Sequence, residues 1–320
     1  MKIVVLDGFT LNPGDLSWEV LRNLGELIIY DRTEIDTDKV IQAIGTAEIV
    51  FTNKTPISKK VLNNLPNLKY IGVLATGYNV VDVNAANEHN VVVSNVPAYG
   101  TDAVAQFVMG LLLEMCHHIG DHNNSVQKGD WTNSIDFCYW NSPLIELEGK
   151  TIGLIGFGKI GQKTAKLAIA FGMNVLVYSR TVKKEFESSN LIFVSLNEVL
   201  RKSDVISLHC PLNDTTSNII CANNIGLMKD KVLLINTSRG GLINEQDLAD
   251  ALNSNKIYAA AVDVVSKEPM NAENPLLSAK NCIITPHIAW ATKEARERLM
   301  HTAVGNLKSY LEGNPINLVN

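Results

Sequence analysis

Between Lys150 and His287 the chain repeats one pattern six times: a short, nearly continuous apolar run, closed by polar or small residues and followed by a longer segment. The runs are KTIGLIGFGKIG, MNVLVYS, DVISLHCP, VLLINTS, AAAVDVV and CIITPH. A strand with one face in water alternates apolar and polar residues. A strand apolar at nearly every position is buried on both faces, the situation of a parallel sheet covered by helices on each side. Parallel neighbours need long crossovers, and helical segments between the runs supply them. The pattern predicts an α/β protein with doubly wound sheets.

A second set of strands precedes this one. KIVVLD, AEIVFTN, LKYIGVLAT and VVVSNV read as strands, with helices over DKVIQAIG and VDVNAANEHN. VPAYG, Val96–Gly100, breaks the series because Pro97 and Gly100 both disfavour regular structure. The stretch TDAVAQFVMGLLLEMCHHIGDH then predicts one long helix, apolar on most sides, buried in a large core or against a second subunit. Near the other end an amphipathic helix begins at about Thr292, with Ala295, Leu299, Ala303, Val304 and Leu307 at helical spacing. It is expected to return to the first domain. The expected organisation is two doubly wound parallel-sheet domains, one over 1–98 plus 288–320 and the other, 99–287, inserted into it, with hinges near Ala98 and Ile288. No internal repeat or low-complexity tract interrupts them.

With 320 residues the chain is long enough for two cores, and 46% hydrophobic with 19% charged residues is a globular composition. A formal net charge of −5 argues against nucleic acid or an anionic membrane as partner. The start, MKIVVLDGF, lacks the long apolar stretch and cleavage site of a signal peptide and reads as a first strand. No apolar run approaches the roughly 20 residues of a membrane helix. The five cysteines are odd in number with no C-x-x-C spacing, which fits reduced thiols and a cytoplasmic protein.

The first run of the second series carries G-x-G-x-x-G as Gly156, Gly158 and Gly161, after a strand and at the opening of a helix. That context makes it a dinucleotide-binding turn. Gly156 permits the tight turn, Gly158 lets the backbone approach a pyrophosphate, and Gly161 allows close helix–strand packing. The free N–H groups at Lys159 and Ile160 face the phosphates. The next strand should end at the adenine ribose, where NAD-preferring sites place an acid. Here the residue is Ser179, followed by Arg180, Lys183 and Lys184. Loss of the acid admits NADP(H) beside NAD(H), and the basic residues lean the reading towards NADP(H).

In ITPHIAW, His287 stands between a proline and an apolar tripeptide. A histidine at a strand end is by itself an ordinary structural residue. Partners are available, however, because Arg239 follows VLLINTS and both Asp263 and Glu268 follow the AAAV run. The carboxyl ends of strands in open α/β sheets form the ligand crevice. An arginine, a glutamate and a histidine from successive strand ends beside a dinucleotide therefore make a chemical constellation.

Several of these stretches, in this order, resemble the D-isomer-specific 2-hydroxyacid dehydrogenases over essentially the whole chain. They are GKTIGLIGFGKIGQKTAKLAIAFGM, SDVISLHCPLNDTTSNII, LLINTSRGGLINEQDLADALNSNKI and AAAVDVVSKEP with NPLL and NCIITPHIAW. TNKTPIS, ATGYNVVDV, NVPAYGTDAVAQFVMGLLLE, WTNSIDFCYW and PHIAWATKEARERLM are similar to its glycerate dehydrogenase, or hydroxypyruvate reductase, branch. The resemblance implies a Rossmann-type cofactor domain inserted into a flavodoxin-like substrate domain. It implies reduction of hydroxypyruvate to D-glycerate, and of glyoxylate to glycolate, by NAD(P)H without a metal. Arg239 would bind the substrate carboxylate, His287 would be the acid–base group, and Glu268 would orient it. Lys54 and the backbone of Thr76 and Gly77 would also hold the carboxylate. Cys210, Pro211, Thr216, Thr237, Ser238, Arg239, His287 and Ala289 would line the coenzyme, and Asp263 would bond the nicotinamide carboxamide. Trp140, in an aromatic-rich loop, would close the pocket or lie in an interface of a homodimer. Ser179 departs from the acid that many relatives carry.

The sequence is compatible with two rival readings. One is a phosphoglycerate, formate or other 2-hydroxyacid dehydrogenase, although little chain follows the last helix to form the regulatory extension of many phosphoglycerate enzymes. The other is a dinucleotide-sensing binding protein of the same fold.

Overall fold

A computed structural model describes residues 1–320. The chain divides into two compact units, one formed by Met1–Gly100 with Ala291–Asn320 and the other by Thr101–Trp290.

The first unit holds five parallel strands: β1 (Lys2–Val5), β2 (Glu26–Ile29), β3 (Ile49–Thr52), β4 (Tyr70–Val73) and β5 (Val92–Ser94). Their order is β2-β1-β3-β4-β5, the flavodoxin-like arrangement. Helices α1 (Glu19–Arg22), α2 (Thr37–Ile44), α3 (Lys59–Leu62) and α4 (Val83–Glu88) alternate with the strands. Val4, Val50, Phe51, Tyr70 and Ile71 are fully buried, as strands covered on two faces require. Asp36 starts α2 by accepting the N–H groups of Asp38 and Lys39, satisfying donors that the helix leaves open. Sequence periodicity missed β2, a half-exposed edge strand of four residues paired only with β1.

The second unit begins with α5 (Thr101–His117) and α6 (Ile119–Gln127). The single helix expected over this stretch is therefore two, bent by 54°. The break is at His118, whose φ of +48° ends the regular ladder. Burial changes there too, since Cys116 is fully buried while Ile119 is 61% exposed. The apolar side chains of α5 are consumed inside its own unit, so its composition alone requires no second subunit. No single helix of the chain is long and apolar enough to cross a membrane.

Strands β6 (Thr151–Ile155), β7 (Asn174–Tyr178), β8 (Leu191–Phe193), β9 (Val205–Leu208), β10 (Val232–Asn236), β11 (Ile257–Val262) and β12 (Cys282–Ile284) follow. They form one parallel sheet ordered β12-β11-β10-β9-β6-β7-β8. Counted within the unit this is the Rossmann order with one added strand, and the order reverses between β6 and β9. Edge strand β8, of three residues, was not evident in the sequence. The sheet is flanked by α7 (Lys159–Ala170), α8 (Leu196–Lys202), α9 (Ala222–Leu227) and α10 (Glu245–Asn253). Its two faces carry separate apolar cores, one including α5 and α7, the other including α8, α9 and α10.

The last helix, α11 (Lys293–Leu311), belongs to the first unit. Thr292 caps it by accepting the Ala295 N–H, and the predicted apolar residues Ala295, Leu299, Ala303, Val304 and Leu307 are all buried.

Candidate active site

The glycine turn joins β6 to α7 at the point where strand order reverses. Gly156 has φ +104°, and a Cβ there would stand 2.5 Å from the Cys210 nitrogen and the His209 carbonyl carbon. No L side chain fits. A Cβ on Gly161 would stand 2.6 Å from the Gly156 oxygen, so this glycine brings helix against turn. Gly158 differs, because a Cβ there would meet nothing within 4 Å. Gly158 starts α7 with no side-chain cap, which leaves the N–H groups of Lys159 and Ile160 open to an anion.

Next to this turn the Tyr178 carbonyl accepts the Gly156 N–H at 2.8 Å, so half-buried Ser179 emerges from β7 beside the glycines. Arg180 is exposed. From β9, the His209 N–H donates to the Ile155 carbonyl at 2.7 Å and presents Cys210 to the turn. Burial pushes the Cys210 thiol up to about 11, so it is a neutral lining group at ordinary pH. Thr216 donates its hydroxyl to the Pro211 carbonyl at 2.7 Å and ties that loop closed. After β10, the Thr237 hydroxyl is buried without a partner, and Ser238 donates to the Leu208 carbonyl. An uncapped helix start, open space over Gly158 and an orphaned hydroxyl fit a dinucleotide.

His209 itself was not singled out in the sequence. Its Nε2 bonds the Ser207 hydroxyl at 3.0 Å, while Nδ1 is closed off from solvent and has no partner. Burial pushes its pKa down to about 4, keeping it neutral. Alternation along β9 carried the signal, since Ser207 and His209 interrupt one face of an otherwise apolar run.

Arg239, Glu268 and His287 follow β10, β11 and β12, three adjacent strands. Fully buried Asn236 shapes the first loop by donating to the Arg239 carbonyl at 2.9 Å and accepting the Ser238 N–H at 3.0 Å. The Arg239 guanidinium is exposed and donates only to the Ser238 carbonyl at 2.7 Å, so its remaining donors are free for a carboxylate. His287 has φ +55°, a left-handed conformation uncommon outside glycine. Asp263 holds it there. Its carbonyl accepts the His287 N–H at 2.8 Å. Its buried carboxylate accepts from the Thr285 hydroxyl and from the N–H groups of Ile288 and Ala289, at 2.6, 2.9 and 2.9 Å. The turn aims the ring so that Nδ1 lies 2.7 Å from Glu268 Oε2. A carboxylate on Nδ1 fixes the hydrogen on that nitrogen and leaves Nε2 to exchange a proton. This is a general acid–base pair by geometry.

In the first unit the buried Asp7 carboxylate, just beyond β1, accepts from the N–H groups of Asn53, Lys54 and Thr55 and from the Thr55 hydroxyl. The loop carrying the exposed Lys54 side chain is thereby fixed. Asp7-Gly8 reads in sequence as a strand terminator, and its reach across 46 residues had no local signature. After β4, the Thr76 hydroxyl donates to the Val96 carbonyl at 2.8 Å, while the backbone N–H groups of Thr76 and Gly77 donate to nothing in the chain.

Comparison with known proteins agrees with this geometry. A family model described as D-isomer specific 2-hydroxyacid dehydrogenase, NAD binding domain, matches residues 109–289. A hydroxypyruvate reductase of Blautia hydrogenotrophica is 57% identical, with 100% of both chains covered. A glycerate dehydrogenase of Methylorubrum extorquens is 40% identical over 88% of each chain. The solved structure of an acyclic imino acid reductase in complex with NADPH and D-Arg superposes with a TM-score of 0.86 at 32% identity, covering 100% of both chains. Sheet order, site geometry and full-length similarity agree, and the chain is a member of the D-isomer-specific 2-hydroxyacid dehydrogenase family.

Proposed function

We propose that the protein reduces hydroxypyruvate to D-glycerate, and glyoxylate to glycolate, with a nicotinamide coenzyme. The observation that carries this reading is the 2.7 Å bond between His287 Nδ1 and Glu268 Oε2, made by a histidine held in a left-handed turn. The bound coenzyme supplies the hydride. His287 Nε2 donates a proton to the carbonyl oxygen of the substrate during reduction and recovers it in the reverse direction. Arg239 grips the substrate carboxylate with its planar array of donors and polarises the adjacent carbonyl. In the same reading, Lys54 and the open N–H groups of Thr76 and Gly77 share the carboxylate. Asp263 bonds the nicotinamide carboxamide, with Ala289 beside it, and Thr237, Ser238, Pro211 and Thr216 line the coenzyme.

The coenzyme is NADP(H) by preference, a reading supported by Ser179 in place of an acid and by Arg180 beside it. The chain works as a homodimer in the cytoplasm. Support for self-association is the exposed apolar arm with Trp131, Ile135, Phe137 and Trp140, which are 53%, 102%, 89% and 65% exposed. Five unpaired cysteines support a reducing compartment.

The test is oxidation of NADPH and NADH with a panel of 2-oxo acids, followed by absorbance, for wild type and His287→Asn. Hydroxypyruvate and glyoxylate should be turned over, and the variant should lose about 10²–10⁴-fold in kcat while retaining coenzyme affinity. A variant keeping half of the wild-type kcat would remove His287 from the chemistry. No turnover with any 2-oxo acid would favour a dinucleotide-sensing role.

A further inference from the structure

We infer that Glu245 is a positioning residue that sets the Glu268–His287 pair and joins it mechanically to Arg239. The inference rests on the proposed roles of those three residues. Glu245 is the first residue of α10, after the cap Asn244. Its carboxylate turns away from its own helix and grips the loop between β11 and Glu268. Oε1 accepts the Ser266 N–H at 2.7 Å. Oε2 accepts the Ser266 hydroxyl at 2.7 Å and the Asn274 amide at 2.9 Å. These are charge-assisted bonds, and no salt bridge competes for the carboxylate.

The peptide next to the gripped one is bonded to Glu268. The Val265 N–H donates back to Glu268 Oε1 at 3.4 Å, so the Val265–Ser266 backbone helps to orient the carboxylate whose other oxygen bonds His287. The same backbone abuts the turn after Arg239. A Cβ on Gly240 would stand 1.9 Å from the Val265 carbonyl carbon and 2.4 Å from the Ser266 nitrogen. The two loops are therefore in contact with no room between them. Glu245 fixes one loop from the helix that directly continues the other. The spacing of carboxylate-binding arginine and acid–base histidine is thus defined by one short stretch, Arg239–Glu245, acting on Val265–Ser266. A glutamate at this place is a surface residue by sequence alone, since its partners lie 21 and 29 residues away.

A double-mutant cycle in the full-length enzyme tests this, using Glu245→Ala, Glu268→Gln and the pair, with kcat and KM for hydroxypyruvate and the Kd of NADPH as readouts. Glu245→Ala should lower kcat by about 10–100-fold, as expected for a misplaced acid–base group. KM for hydroxypyruvate should change less than kcat, and Kd for NADPH should hold. In the Glu268→Gln background the same change should cost little, because the group it positions is already lost. Glu245→Gln retains an oxygen for the Ser266 N–H and should recover most of kcat. Ser266→Ala removes one of the three bonds, folds without a buried vacancy, and should give a smaller loss of the same kind. Additive losses in the double variant would overturn the inference and leave the acid–base reading intact. Wild-type kcat for Glu268→Gln would overturn that reading and the inference together.

Discussion

Consider the pH dependence of the second unit's stability, traced to His209. Its pKa is pushed down to about 4 by burial, against an ordinary value of 6.5. Part of the residue touches solvent, but Nδ1 does not. A depressed pKa means that the unfolded chain binds the proton first as pH falls. The stabilising contribution is therefore intact above about pH 6.5 and is lost progressively towards pH 4. Each pKa unit is worth about 1.36 kcal/mol, so the full shift corresponds to about 3 kcal/mol, of which about 2 is lost by pH 5. His209→Gln keeps a group able to bond Ser207 and cannot titrate. Wild type and variant should differ by about 2 kcal/mol less at pH 5 than at pH 7.5. Urea unfolding followed by tryptophan fluorescence measures this in a Trp18→Phe background. Trp131, Trp140 and Trp290, the tryptophans that remain, then all lie in Thr101–Trp290. A difference that stays constant between the two pH values, within about 0.5 kcal/mol, would refute the reasoning.

Three further outcomes are expected. Arg239→Lys should raise KM for hydroxypyruvate and lower kcat, because an ammonium cannot reproduce the planar two-pronged grip; unaltered kinetics would transfer the carboxylate to another cation such as Lys54. Ser179→Asp should lower the ratio of kcat/KM for NADPH over NADH, since the new carboxylate repels a 2′-phosphate and bonds free ribose hydroxyls. A ratio unmoved by the change would place the ribose elsewhere. Gly156→Ala should destabilise the second unit by about 3 kcal/mol and weaken coenzyme binding, through positive φ and contact with the β9 end; a normal Tm and Kd would show that the turn relaxes without cost.

The residues that face the proposed chemistry were readable because they sit at the ends of strands that the sequence marks clearly. Arg239, Glu268, His287 and the glycines are polar or small residues closing apolar runs, and the doubly wound fold assigns a meaning to that position. What escaped reading was set by contacts across the fold. Strands β2 and β8 are short, half-exposed edges whose existence depends on one neighbour each. His118 divides the stretch through its left-handed backbone, and no proline or glycine at that position marks the break in the sequence. Asp7, Asp263 and Glu245 are carboxylates whose partners are backbone N–H groups distant in sequence, and a backbone N–H carries no residue signature.

The return of α11 to the first unit has a consequence for biosynthesis. Residues 101–290 are contiguous, and their core uses nothing made after Trp290. Residues 1–100 emerge first yet lack α11, which packs against β4, until about 200 further residues have been made. At roughly 5–20 residues per second that is a wait of about 10–40 s with strand edges and apolar faces exposed. The amino-terminal segment is thus expected to be the protease-sensitive part of a chain that ends before α11. A released chain truncated after residue 290 should lose its first 100 residues to a protease and retain the rest. Equal resistance of both segments would show that the first unit closes without its last helix.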